Sequence, residues 1–240
     1  SQFSDTWLKS IRNRFLVFLA LKNATHRISC GQLAGLKIFG KKSFQILPNA
    51  IDIDKYRFSP TFREEIRKEF HIAEHQKVVG MIGILNPFKN QSFLIEVAKE
   101  LPDVTFFFVG EGPDRAILEE NSKDLKNVIF SGKREDVHKF YSAFDIFAFP
   151  SLYEGFPIVL VEAQCSGVDI LMNETIDPTT QIVSELCTAM PLDKPKWVNY
   201  IEKTPINEKQ RQLNEHLKPF DIEENVQNLK EIYKQGLKRE

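Results

Sequence analysis

Apolar residues along this chain fall into short continuous runs, separated by stretches in which they recur at helical spacing. Five runs are short and rich in β-branched and aromatic residues, which predicts strands buried on both faces. They are KVVGMIG, VTFFFV, NVIF, DIFAF and VDILM, at residues 77–83, 104–109, 127–130, 145–149 and 168–172. Helices are predicted between them at 91–101, 113–121, 136–143 and 157–166. Strands that alternate with helices predict an α/β fold, a parallel sheet with helices on both faces.

The pattern is less regular on either side of this region. Ahead of it we predict a helix with one basic side, a short strand, a helix that Gly40 ends, an extended crossing segment and a charged helix. These elements cover residues 5–22, 26–30, 32–39, 44–48 and 61–70. After Met172 only two further helices are predicted, at 194–203 and 221–235.

Loops with polar or glycine residues follow four of the predicted strands. They start at Gly83, Gly110, Ser131 and Pro150. Because the carboxyl ends of parallel strands meet at one edge of a sheet, where ligands bind in such folds, we expect these loops to converge.

The segment FPSLYEGFPIVLVEAQCSG, residues 149–167, carries the most chemistry. It predicts a strand, a sharp turn and a helix with Pro157 in its first turn. Glu154 lies ahead of the helix and Glu162 on it. The free N–H groups at a helix N-terminus attract a phosphate, and carboxylates accept hydrogen bonds from sugar hydroxyls. The turn therefore predicts a site for a sugar nucleotide, although Glu162 alone would read as an exposed helix glutamate.

Composition narrows the classes of partner. Net charge is −1 with acidic and basic residues interleaved, so nothing indicates nucleic acid. The three cysteines show no metal-ligand spacing, and they indicate reduced thiols in the cytosol. No metal cluster, signal peptide or membrane-spanning run is evident in the sequence.

Five segments in order resemble the retaining GT-B glycosyltransferases of family four, especially the capsular and exopolysaccharide enzymes. Glu154 and Glu162 match the Glu-x7-Glu motif of that family. The other four segments are ILPNAID, IGILNPFKN, FFFVGEGPDR and VIFSGKRED, at residues 46–52, 82–90, 106–115 and 128–136. The resemblance implies a Rossmann-like domain, the C-terminal donor-binding half of a GT-B fold, preceded by a remnant of the acceptor domain.

The resemblance also implies roles for particular residues. Glu154 would hold the transferred sugar and Lys89 the diphosphate, which makes these two the expected catalytic residues, and Glu162 would hold the ribose. The further donor-binding residues implied are Gly83, Gly110, Gly112, Lys133, Arg134, Gly155, Phe156 and Ile158, the last three through backbone N–H groups. If the resemblance is set aside, Lys89, Lys133 and Arg134 are interpreted as solvated charges, and the two glycines of GEGP are interpreted as turn residues.

The function implied is a retaining hexosyltransferase of polysaccharide biosynthesis, acting in the cytoplasm at the inner face of the membrane. It would transfer a sugar from a nucleotide sugar, with uridine diphosphate as the expected carrier, to a glycan or lipid-linked acceptor, and would need no metal cofactor. Residues 1–43 would be the end of the acceptor domain, 44–205 the donor domain and 206–240 a C-terminal helical segment. Because the resemblance implies that most of the acceptor domain is missing, the chain by itself is expected to be inactive, and its first helix could contact a membrane peripherally.

One departure from the family pattern keeps a second reading open. Members of the resembled family usually have an arginine directly after the glycine of the phosphate loop, where this chain has Ile84. The loss of that bidentate phosphate donor favours a degenerate or non-catalytic module that binds a sugar nucleotide. A sugar-nucleotide epimerase shares the fold, but the sequence shows no second set of acid and base residues.

Overall fold

The computed structural model describes residues 16, 18–206, 211 and 215–237. The chain divides into two compact units, one formed by Ser1–Asn49 with Asn225–Glu240 and the other by Ala50–Glu224. The domain boundaries predicted at residues 44 and 206 stay a prediction.

The smaller unit contains a parallel pair of short strands, β1 (Ile28–Ser29) and β2 (Gln45–Ile46), with helix α1 (Gln32–Phe39) between them in sequence. Gly40 ends α1 with a φ of 62°, as predicted from the sequence. The helix predicted over 5–22 lies outside the described residues except at residues 16 and 18–22, which are helical. No helix in the described part of the chain is both long and apolar enough to cross a membrane.

The larger unit is built on a sheet of six parallel strands, and five of them confirm the predicted runs. They are β3 (Val78–Ile82), β4 (Thr105–Val109), β5 (Val128–Gly132), β6 (Ile146–Phe149), β7 (Asp169–Asn173) and β8 (Cys187–Met190). Their order in the sheet is β5-β4-β3-β6-β7-β8. The sequence did not predict β8, because this four-residue edge strand is only partly buried and lacks a continuous apolar run.

The predicted helices between the strands are confirmed within a few residues at each end. Those after α1 are α2 (Pro60–Glu69), α3 (Gln91–Ala98), α4 (Arg115–Ser122), α5 (Val137–Ala143), α6 (Ile158–Cys165), α7 (Lys194–Lys203) and α8 (Ile222–Leu237). Two hydrophobic clusters place the helices of the larger unit on opposite faces of the sheet. Helices α2, α5 and α6 contribute to one cluster, and α3, α4 and α7 contribute to the other.

Alternate residues of each central strand enter the two clusters. On β4, Phe107 and Val109 pack on the side of α5, whereas Phe106 and Phe108 pack on the side of α3. Successive side chains of a strand point to opposite faces, so a strand covered on both sides must be apolar at every position. This is why the strands read as continuous apolar runs, and the α/β fold with helices on both faces is confirmed.

A buried carboxylate joins the two central strands at their amino ends. Asp145, directly before β6, is fully buried and accepts a hydrogen bond of 2.8 Å from the N–H of Val78 on β3. Arg63 and Arg67 of α2 form ion pairs of 2.9 and 2.8 Å with its two oxygens. Both arginines also donate to main-chain carbonyls, so their charges stay solvated by the protein. The cluster fixes α2 and β6 to the start of β3.

Replacing Asp145 by Asn should destabilise the fold by about 3–5 kcal/mol, because two buried guanidinium groups would lose their counter-charge. Urea unfolding measures this loss. Asp54→Asn is the matched control, because it removes an exposed pair with Arg57 and should change stability little. A loss for Asp145→Asn as small as that of the control would contradict the assignment.

Candidate functional site

The sheet has a crevice between its two central strands at their carboxyl ends. From β3 the chain runs outward to β4 and β5, and it then returns to β6 on the other side of β3. The loop after β3 leads to α3 on one face, whereas the loop after β6 leads to α6 on the opposite face. Such a switch point leaves an open crevice, and it is where ligands bind in sheets of this kind.

An ion pair spans this crevice. Nζ of Lys89, in the loop after β3, lies 2.6 Å from Oε1 of Glu154, in the loop after β6. The side chains of Lys89 and Glu154 are only 18 % and 16 % exposed, and the ammonium lies 5.4 Å from the centroid of the Phe149 ring. The structure therefore brings together the two residues predicted as catalytic, although they are 65 residues apart in sequence.

Main-chain hydrogen bonds hold the two loops against each other. The N–H of Leu152 donates to the carbonyl of Phe88 at 2.8 Å. The Asn90 side chain donates to the carbonyl of Pro150 at 3.3 Å, and Asn90 is the N-cap residue of α3, with a left-handed φ of 57°. These bonds limit how far Lys89 and Glu154 can separate.

The two glycines of GEGP, which the resemblance implies as donor-binding residues, allow close approach of one loop to another. A Cβ on Gly110, where φ is 137°, would lie 2.0 Å from the carbonyl oxygen of Gly83. A Cβ on Gly112 would lie 2.2 Å from the carbonyl oxygen of Leu85. The backbone that these glycines approach is thus that of the neighbouring loop, which fixes the wall of the crevice.

A pocket of about 320 Å³ lies beside the ion pair. Four predicted donor-binding residues, Gly83, Gly110, Lys133 and Arg134, line it together with Ile84. A Cβ on Gly83 would lie 3.7 Å from Cε of Lys89, so the lysine side chain passes close to the pocket wall. The pocket and the ion pair are therefore adjacent parts of one region.

Arg134 differs from Lys133 in that other residues already engage its guanidinium. It forms ion pairs of 2.6 Å with Glu69 and 2.8 Å with Asp136, and it lies 5.2 Å from the centroid of the Phe140 ring. Hydrogen bonds to Asp136 and Glu69 raise the pKa of Arg134. The Arg134 side chain is therefore held in place by its ion pairs, whereas Lys133 is exposed beside the pocket.

Glu162 lies in a different setting from Glu154. It is on α6, is 9 % exposed and accepts a hydrogen bond of 2.5 Å from the hydroxyl of Tyr141. Burial raises the pKa of Glu162, although hydrogen bonds from Tyr141 and Tyr56 oppose that shift. The reading of Glu162 as an exposed helix glutamate is therefore wrong.

The start of α6 differs by one residue from the prediction. Pro157 is the N-cap residue with an extended backbone, rather than a member of the first turn, and Ile158 is the first helical residue. The Phe156 ring stacks on Phe220 with the centroids 5.9 Å apart. A Cβ on Gly155 would meet no atom within 4 Å, so open space adjoins the backbone next to Glu154.

Sequence reasoning missed Tyr141 as a partner of Glu162. Tyr141 lies in the apolar stretch of α5 and is fully buried. The available signal was chemical, because a buried tyrosine hydroxyl needs a hydrogen-bond partner. The described residues contain no group of three or more His, Cys, Asp or Glu side chains that could hold a metal ion.

Comparisons with known proteins identify the family and the fold that this chain resembles. A family model described as "Glycosyl transferases group 1" matches residues 62–231. The chain is 31 % identical over 242 residues to "Putative glycosyltransferase EpsF" of Bacillus subtilis (strain 168), covering 92 % of this chain and 63 % of that protein. It is 29 % identical to "UDP-Gal:alpha-D-GlcNAc-diphosphoundecaprenol alpha-1,3-galactosyltransferase" of Escherichia coli, over 71 % of this chain and 49 % of that protein. The chain thus spans less than two thirds of the length of these relatives.

Solved structures show the same fold. The crystal structure of Anabaena Alr3699/HepE in complex with UDP and glucose superposes with a TM-score of 0.77 at 25 % identity, covering 92 % of this chain and 66 % of that one. The complex of the same protein with UDP-glucose gives a TM-score of 0.76. The six-stranded parallel sheet flanked by helices matches these GT-B glycosyltransferase structures.

Gly110→Ala should destabilise the larger unit by at least about 2 kcal/mol, because it forces both a strained φ and an overlap with the carbonyl of Gly83. Thermal and urea unfolding measure the effect. Gly155→Ala is the control, since its Cβ has open space and stability should stay nearly constant. Equal stability of the two variants would show that the loops are not packed as described.

Proposed function

The chain belongs to the group 1 glycosyltransferase family, and on that premise we propose that it binds a nucleotide sugar for a retaining sugar transfer. The donor lies in the crevice between β3 and β6. The diphosphate contacts Lys89, and the transferred sugar contacts Glu154.

The observation that carries the proposal is that the Lys89–Glu154 ion pair and the pocket lie next to each other. The Lys89–Glu154 pair lies at the switch point, and the pocket of about 320 Å³ adjoins it through Gly83. A nucleotide sugar has the same succession of parts: a base and ribose, a diphosphate, and a polyol. The pocket accommodates the nucleoside, the lysine attracts the diphosphate, and the carboxylate accepts hydrogen bonds from sugar hydroxyls.

Electrostatic stabilisation of the leaving diphosphate is the chemical contribution we assign to this chain. Lys89 supplies a positive charge in a partly buried position, where it acts more strongly than in bulk water. The N–H groups at residues 155, 156 and 158, at the start of α6, add to the positive potential. Glu162, oriented by Tyr141, accepts hydrogen bonds from the ribose hydroxyls.

We propose uridine diphosphate as the carrier, because the Anabaena structures hold UDP and UDP-glucose and the name of the Escherichia coli relative specifies UDP-Gal. The family resemblance supports five further parts of the proposal. They are a glycan or lipid-linked acceptor, retention of the anomeric configuration, hexosyl transfer, action without a metal and a place at the inner face of the membrane. This chain spans 63 % of the length of the first relative, and we propose turnover for a protein that also contains an acceptor domain.

The second candidate function is a binding module without catalytic activity. Ile84 favours it, because an exposed isoleucine lines the pocket at the position where the family resemblance implies an arginine. Turnover measured on the full-length protein separates the two functions.

The chain should bind uridine diphosphate and UDP-glucose in calorimetric titrations with a chelator present. Glu162→Gln should weaken both ligands roughly ten- to hundredfold, because both contain the ribose and a hydrogen bond to a charged group is lost. Glu120→Gln removes an exposed carboxylate on α4 and serves as the control for charge. If the wild-type chain binds neither ligand, or binds them only with a divalent ion added, the proposal fails. Unchanged affinity in a folded Glu162→Gln variant would contradict the ribose assignment alone.

Ile84→Arg should tighten uridine diphosphate roughly tenfold, because an arginine fork donates two hydrogen bonds to phosphate oxygens. Ile84 is 59 % exposed, so the substitution disturbs no packed core. The gain should shrink as salt concentration rises. Ile117→Arg, at a residue of α4 that is 60 % exposed, is the control for added charge. A stable Ile84→Arg variant with unchanged affinity would show that the phosphate site is elsewhere.

A further inference from the structure

The two charged groups of the crevice are bound to each other in this structure. Nζ of Lys89 and Oε1 of Glu154 are 2.6 Å apart, and both side chains are more than four-fifths buried. The ammonium thus has a carboxylate partner in the same position from which it would contact a diphosphate. Any anionic ligand must therefore share Lys89 with Glu154 or displace it.

The loops after β3 and β6 are tied together, so Lys89 and Glu154 cannot move far apart when an anion binds. The bond from Leu152 to the carbonyl of Phe88 ties the two loops one residue away from Lys89 and two from Glu154. A phosphate in contact with Lys89 would consequently lie within several ångströms of the Glu154 carboxylate, where like charges in a partly buried site repel strongly.

The chemical groups of the ligand decide whether the Glu154 carboxylate has a hydrogen-bond partner once the ligand contacts Lys89. A diphosphate without a sugar takes the lysine as partner and leaves a partly buried carboxylate unpaired beside an anion, which is unfavourable. A diphosphate with a sugar attached brings hydroxyl donors, so the carboxylate exchanges the ammonium for hydrogen bonds. Both groups then have partners.

We propose that Glu154 makes the site selective for a nucleotide sugar over the free nucleoside diphosphate, by competing for Lys89 whenever no sugar hydroxyl is present. This inference rests on the proposed function and adds a specificity role to it. After the sugar has left, the Lys89–Glu154 pair re-forms against the diphosphate and favours release of that product. No covalent bond changes in this step, and only the partner of the ammonium is exchanged.

The test compares uridine diphosphate with UDP-glucose by calorimetric titration of the wild-type chain, Glu154→Gln, Lys89→Met and the double variant. Glu154→Gln should bind uridine diphosphate about tenfold more tightly, since the competing charge is gone. Its affinity for UDP-glucose should not rise by the same factor, so the preference for the sugar-bearing ligand falls. In the Lys89→Met background the gain from Glu154→Gln should be smaller, because the two side chains act on the ligand through each other.

Glu96→Gln is the matched control, because it removes the same charge from an exposed pair with Lys99 on α3. It should leave both affinities unchanged, and melting temperatures verify that each variant is folded. If the wild type binds UDP-glucose but Glu154→Gln does not tighten uridine diphosphate, the inference is overturned and the proposed function stands. A gain of equal size for both ligands, or an equal gain in Glu96→Gln, also overturns the inference. If the wild type binds neither ligand, the proposed function and this inference fall together.

Discussion

The pairing of β3 with β6, secured by Asp145 at its amino end, is the constraint on which the rest of the larger unit depends. The N–H of Asp145 donates to the carbonyl of Val78, and the carboxylate of Asp145 accepts from the N–H of Val78. The two strands are thus fixed in register by the residue that directly precedes β6. Asp145 lies at the amino ends of β3 and β6, and the crevice lies at their carboxyl ends, five and four residues away. A shift of register at the amino ends would therefore move the loops at the carboxyl ends.

The crevice is the direct consequence of that pairing. Strands β3 and β6 are neighbours in the sheet, whereas their following helices lie on opposite faces. Their loops therefore leave the sheet edge towards opposite faces, although the bond from Leu152 to Phe88 joins them. The loops after β3 and β4 approach so closely that Gly110 and Gly112 admit no side chain. The wall of the crevice is therefore formed by backbone packing, and its charge is supplied by Lys89 and Glu154.

The two carboxylates of the Glu-x7-Glu segment have different physical settings, and this suits the different roles proposed for them. Glu154 is paired with a cation in a loop that borders open space at Gly155. Glu162 is held on a helix by the hydroxyls of buried or half-buried tyrosines, and burial raises its pKa. A carboxylate that exchanges partners fits the sugar that departs, and a carboxylate held in place fits the ribose that stays with the diphosphate.

The sequence alone determined the α/β fold. Strands covered on both faces must be apolar throughout, whereas the helices between them need apolar residues only where they pack on other parts of the protein. It also determined where the polar loops converge, since carboxyl ends of parallel strands share one edge. It did not reveal β8, whose partly buried residues carry no periodic signal, or the partnership of Tyr141 with Glu162. Tertiary structure alone decided that Lys89 contacts Glu154, that Arg134 is engaged by Glu69 and Asp136, and that Ile84 is exposed at the pocket. These facts depend on which loops meet across the sheet, and local patterns do not encode contacts between residues that are distant in the chain.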